Sequence, residues 1–156
     1  MHTHLFQLNI IWTGNNGTGT SAYDAYSRNH TIRCEGKADL QASSDPYFRG
    51  EKEKYNPEDL LLASISSCHM LWYLHLCADA GIVVVNYEDK PQGTMITGAE
   101  VRGKFTEVVL HPHVTITDAS RVEEANALHH KAHEKCFISN SCNFPILCEG
   151  KCEVDK

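Results

Sequence analysis

Seven cysteines stand at positions 34, 68, 77, 136, 142, 148 and 152, and ten histidines accompany them. A cysteine thiolate attacks electrophilic oxygen or sulfur and ligates soft metals, whereas the protonated thiol does neither well. The cysteine number is odd and no C-x-x-C pair occurs, which disfavours both a secreted disulfide framework and a finger-type zinc site. Catalytic or redox-active thiols beside several inert buried ones are the reading that remains.

Cys68 lies in Ser66-Ser67-Cys68-His69, well inside a long apolar run. Free cysteine is often a small buried hydrophobe, so that reading stands beside the catalytic one. A site in mid-helix gains little from the helix dipole, so a thiolate there needs a cation brought from elsewhere. Arg28 and Arg49 are the candidates, and spacing does not choose between them. Cys136 follows His133-Glu134-Lys135 where a second helical pattern gives out. A cysteine that closes a disulfide needs mobile backbone of this kind, but a thiol closing an apolar stripe fits equally well.

The histidines offer a rival chemistry. His129 and His133 fall at i, i+4 on one helix face, with Cys136 a turn further on. Imidazole and thiolate together are zinc or copper ligands. The run lacks the glutamate of a zinc-protease signature, and we read these histidines as surface or interface residues. His2 and His4 read as a frayed terminus, and His111 and His113 as an exposed strand.

The elements that must position these groups are legible from pattern. Residues 4–13 read as a strand ended by the turn-rich run 14–20. A second short strand holds Ile32 and Cys34, and residues 41–57 read as a surface loop. Asn56 is a good N-cap, Pro57 suits the first helical position, and Glu58 and Asp59 oppose the helix dipole. That helix runs to Gly81 and is apolar almost all round, so burial on most sides and a partner subunit are expected. Residues 82–89 read as a strand, 94–117 as two more, the second over about 107–117. A second helix is capped by Thr117 or Asp118, with Val122, Ala125, Leu128 and Ala132 on its apolar stripe. A last strand lies within 143–154. This order argues an α+β domain with segregated layers, a single domain over residues 1–156.

Composition narrows the function classes. The 156 residues are 42% hydrophobic and 22% charged, with formal net charge −6 and mean hydropathy −0.36. An acidic balance disfavours nucleic acid, which demands clustered Lys and Arg. No apolar run reads as long enough for a membrane span, and the N-terminus is too weakly apolar for a signal peptide. A cytoplasmic location, where thiols stay reduced, is the expectation.

Three segments together, Asn56-Pro57-Glu58-Asp59-Leu60-Leu61, Ser67-Cys68-His69-Met70 and Ala132-His133-Glu134-Lys135-Cys136, resemble the osmotically inducible protein C and organic hydroperoxide resistance (OsmC/Ohr) family. The resemblance covers nearly the whole chain. It implies an α+β fold with antiparallel sheets packed around two long helices in an intertwined homodimer. It implies a peroxidatic Cys68, a resolving Cys136 and a Glu58 that holds an activating arginine. Arg28, beside Tyr26 and His30, is favoured for that arginine, and Arg49 is the alternative. It further implies alkyl or fatty-acid hydroperoxides as substrates and a dithiol reductant, typically a dihydrolipoyl group on a lipoylated protein, with no cofactor and no metal.

Ten residues of α-helix separate Glu58 from Cys68 by about 15 Å, so a shared site implies that Glu58 comes from the other subunit or that an arginine spans the gap. Ile65, Leu71 and Trp72 suit a greasy alkyl tail and suit a plain core equally. Cys34 and Cys77 are expected in the core, and Cys142 is a lesser competitor for the disulfide. A thiol redox sensor, or a small-molecule or metal binder on the same fold, is the alternative function.

Overall fold

The first long helix begins and ends where local chemistry dictates. In the computed structural model, which describes residues 2–155, α1 spans Pro57–Asp79. The Asn56 side-chain oxygen accepts the Asp59 N–H at 2.8 Å, and the Asp59 carboxylate accepts the Asn56 N–H at 3.2 Å. This reciprocal capping box satisfies two donors that the first turn leaves unpaired. At the far end Gly81 adopts φ +70°. Its N–H bonds to the Ala78 carbonyl at 3.0 Å, and the Ile82 N–H reaches back to the Cys77 carbonyl at 2.8 Å. That pair is a Schellman motif, and the left-handed residue it needs is most cheaply glycine.

The described residues form two compact units, divided after Leu60. The first holds an antiparallel sheet of β1 (Asn9–Trp12), β2 (His30–Arg33) and β3 (Leu40–Ala42) in that order. Residues 41–57 are therefore not all loop: β3 occupies their start, and a short 3-10 turn spans Pro46–Phe48. Cys34 is half-buried and its thiol donates to the Gln7 carbonyl, so it is not the core residue expected.

The second unit contains two mixed sheets. One orders β4 (Val84–Glu88), β7 (His113–Ile116) and β9 (Lys151–Val154); the other orders β5 (Gln92–Gly98), β6 (Val101–Leu110) and β8 (Ile146–Cys148). The strand expected over 107–117 is broken at His111-Pro112, where proline has no N–H for a ladder. The last strand is broken likewise at Glu149-Gly150. Both chains change sheet together: Glu149 N–H bonds to Leu110 and Lys151 N–H to Pro112, each at 2.8 Å. The β6–β8 and β7–β9 pairings are parallel. Helix α2 (Val122–Lys135) follows a 3-10 turn capped by Asp118.

Two apolar clusters form the core of this unit. Tyr73, Cys77, Ile82, Val114, Ile116, Ala125, Leu128 and Ala132 make one; Ile65, Val108, Leu110 and Ile146 make the other. Along α1 the fully buried residues are Ile65, His69, Tyr73 and Cys77, a single stripe at intervals of four. The sequence led us to expect burial on most sides; within one chain only this stripe is fully buried, its flanks are half-buried, and Leu71 on the far side is 63% exposed. By length and composition α1, at 23 residues, does reach what a membrane span requires, which corrects the expectation of no such run. Its buried stripe packs into the two clusters described above.

Candidate functional site

Cys68 and Cys136 meet in the second unit. Helix α2 ends at Lys135, and Cys136 leaves it with φ −68° and ψ 108°. The chain then folds into a 3-10 turn over Ser139–Ser141. Asn140 donates its backbone N–H to the Cys136 carbonyl and its side-chain amide to the Glu134 carbonyl, both at 3.0 Å. One helical turn beyond Cys68, Trp72 packs edge-on to Phe137 at 5.5 Å between centroids, and the Lys135 ammonium lies 5.5 Å over the Trp72 ring. Trp72 thereby fixes the turn that carries Cys136 against the α1 face that carries Cys68.

The result is a pair of neighbouring thiols, close enough that Cys136 acts on the titration of Cys68. The backbone of Ile138 and Phe137, in the turn after α2, lies near enough to Cys68 to favour its charged form. The Ser139 hydroxyl and N–H donate to the Cys136 sulfur at 3.1 and 3.4 Å. Cys68 is half-buried, Cys136 fully buried, and both are free thiols. Burial pushes the Cys68 pKa up, the Ile138 N–H opposes it, and the Cys136 thiol adds to the rise. No cation is among the groups of the described residues that act on Cys68, and a thiolate there at neutral pH needs one. Cys142 is nearby, and its thiol donates to the Ile138 carbonyl at 3.3 Å.

Glu58, Arg28 and Arg49 belong to the first unit. Glu58 leaves one carboxylate oxygen buried with no hydrogen-bond partner among the described residues. Arg28 is held by its own loop: it donates to the Tyr26 and Tyr23 carbonyls at 2.6 and 2.7 Å, and its guanidinium lies 4.2 and 4.3 Å from those two rings. Two of its five N–H donors are thus used and the plane is pre-set by stacking. Arg49 is exposed with φ 68° at the end of the 3-10 turn, and its guanidinium has no partner among the described residues.

The histidines are arranged differently from the expectation. His129 is buried, not on the surface, and its ring meets that of His69 between α1 and α2. His69 Nε2 and His129 Nδ1 lie 3.0 Å apart with rings 5° from parallel, and the His129 ring stacks on Tyr73 at 4.0 Å. Cys148 Sγ lies 3.6 Å from His69 Nε2. The grouping with metal-ligand proximity among the described residues is therefore His69, His129 and Cys148, rather than His129, His133 and Cys136. His130 stays exposed and pairs with Glu134 at 3.3 Å. Burial lowers the pKa of both His69 and His129 to about 4; for His69, Asp89 opposes the fall and His133 adds to it. Burial pushes the Cys148 thiol up to about 11, against a backbone hydrogen bond from Gly150. Spacing marks only one member: His69 is four residues from both Ile65 and Tyr73, on the stripe that packs inward.

Comparison with known proteins places this arrangement. The OsmC-like protein family profile matches residues 50–149, and the chain belongs to that family. Among solved structures, an OsmC-like protein of unknown function from Vibrio cholerae is similar at 28% identity, TM-score 0.85, over 95% of this chain and 99% of that one. An organic hydroperoxide resistance protein from Legionella pneumophila is similar at 24% identity, TM-score 0.65, over 99% and 100% of the two chains. Another from Elizabethkingia anophelis gives 20% identity and the same TM-score, over 99% and 100%. No curated protein matches.

Proposed function

We propose that the protein is a thiol peroxidase that reduces organic hydroperoxides. The proximity of the Cys68 and Cys136 thiols, at the turn that follows α2, carries this reading. Membership of the OsmC-like family and likeness to proteins named for organic hydroperoxide resistance support it.

The Cys68 thiolate attacks the terminal oxygen of ROOH, the O–O bond breaks, and the alkoxide takes a proton to leave as ROH. Cys68 is then a sulfenic acid. The Cys136 sulfur displaces its hydroxyl, forming the Cys68–Cys136 disulfide and releasing water. A dithiol, probed as dihydrolipoamide, reduces the disulfide by two exchanges and becomes a cyclic disulfide itself. In the cell a lipoylated protein is the proposed donor, and a reducing compartment such as the cytoplasm keeps the remaining thiols free.

Thiolate formation needs a cation. Arg28, with its plane held by Tyr23 and Tyr26, is our first assignment, and Arg49 is the alternative. Glu58, with its unpartnered oxygen, is the proposed anchor for that guanidinium, contributed within a homodimer. The exposed apolar faces of α1 and β1 support dimerisation. The test is turnover of cumene hydroperoxide with dihydrolipoamide. Many turnovers, lost in Cys68→Ser and single in Cys136→Ser, are expected. Stoichiometric oxidation without turnover would replace the enzyme with a redox sensor, and no reaction of the reduced protein would reject both.

A further inference from the structure

We propose that His69, His129 and Cys148 form a three-ligand site for a borderline transition ion, with Zn2+ the reference ion. The site uses none of the residues assigned to peroxide chemistry, and its ligands come from α1, α2 and β8. Two imidazoles and one thiolate are a donor set for zinc, cobalt or copper, and a poor one for magnesium or calcium.

The geometry already approaches coordination. Zinc takes nitrogen at about 2.05 Å and sulfur at about 2.3 Å, so tetrahedral ligands stand about 3.3 Å apart for N···N and about 3.6 Å for N···S. The observed His69–His129 separation is 3.0 Å and the His69–Cys148 separation 3.6 Å. All three ligand atoms lie within 4.8 Å of one another. Two of the three sides thus stand near coordination distance, and an ion needs the imidazole pair to open by a few tenths of an ångström and the His129–Cys148 side to settle near 3.6 Å.

Three features hold the ligands in place. Tyr73 stacks on the His129 ring. Gly150 packs against its other edge, where a Cβ would come within 2.8 Å of ring atoms Cδ2 and Nε2. The Asp89 carboxylate, fixed by the Ser66 hydroxyl and the His111 N–H, acts electrostatically on both His69 and Cys148, offsetting the charge left on an ion bound by a single thiolate. A cleft of about 340 Å³ bounded by His129, His133 and Cys148 gives a route in and room for a fourth ligand. On binding, the Cys148 proton leaves to solvent as the S–metal bond forms. The proton shared between the imidazoles moves, so that His69 carries its N–H on Nδ1 and His129 on Nε2. Both atoms are buried without a partner among the described residues.

The experiment titrates Co2+ and then Zn2+ into the full chain, stripped with chelator and reduced. One equivalent of Co2+ should give tetrahedral ligand-field bands and a thiolate-to-cobalt charge-transfer band, both lost when Zn2+ displaces it. The bands should persist in the Cys68→Ser/Cys136→Ser double variant and in His130→Ala. Cys148→Ser should abolish the charge-transfer band, and either it or His129→Gln should weaken binding about a hundredfold. Absence of the band in the unaltered chain would overturn the proposal. So would a band that survives Cys148→Ser and disappears with Cys68 and Cys136. Peroxidase activity could fail without touching either result.

Discussion

Ser139 holds the buried partner thiol in place, because its hydroxyl and its N–H both donate to Cys136 Sγ. Those donors, at 3.1 and 3.4 Å, fix where the Cys136 sulfur sits, and that sulfur must reach the sulfenic acid to close the disulfide. Ser139→Ala should therefore slow disulfide closure about fivefold, the equivalent of roughly 1 kcal/mol for one hydrogen bond. The loss of sulfenic acid, trapped with dimedone after a single peroxide pulse, measures this; an unchanged closure rate would remove Ser139 from the site. His69 and His129 impose a different signature. Their pKa values are near 4 in the folded chain against about 6.5 when unfolded. Between those values the unfolded chain binds protons that the folded chain refuses, so stability is full above pH ~6.5, falls as the pH drops, and levels off below ~4. The two rings are in contact and titrate as a pair, so the loss belongs to both together and is on the order of a few kcal/mol. Urea midpoints from pH 4 to 7 should show the slope, and His129→Gln should flatten it.

At the scale of elements, α1 depends on its cap and the thiol pair depends on Trp72. Asn56→Ala removes the side-chain acceptor for the Asp59 N–H and should lower stability by about 1 kcal/mol, read as a shift in thermal midpoint. Trp72→Ala removes the ring against Phe137 and Lys135. Without it the turn after α2 should loosen: backbone amides 137–142 should exchange hydrogen faster, and disulfide formation should slow, while Cys68 still reacts with peroxide. Equal protection in both proteins would show that the turn holds itself. The break at His111-Pro112 belongs to this scale too. A missing N–H in one strand, matched by Gly150 in its parallel neighbour, moves both strands from one sheet to the other.

For the whole molecule, the charge is −6 and large apolar surfaces remain exposed. Phe6 is 89% exposed, Leu71 63%, and every residue of β1 faces solvent. Exposed apolar surface in each unit is what an interface would cover. We expect a dimer by light scattering, with a thermal midpoint that rises with protein concentration. Leu71→Glu, on the uncovered face of α1, should shift the population to monomer and reduce peroxide turnover with it, since Glu58 and its arginine are assigned to a site completed in the dimer. A fully active monomer would overturn that assignment.

Much of this could be read from the residues in order. Asn56, Pro57 and Gly81 delimited α1 because capping and left-handed backbone are local chemistry, decided within a few residues. Ala125, Leu128 and Ala132 marked the inward stripe of α2 because helical periodicity is local as well. Segments around Cys68 and Cys136 carried the family resemblance for the same reason. Three features were settled only in three dimensions. Strand 107–117 divides between two sheets, since ladder partners come from distant segments. The single covered face of α1 depends on which layers pack on it. His129 lies beside His69 and Cys148, because burial is set by what the rest of the chain folds over, and no spacing along the sequence records that.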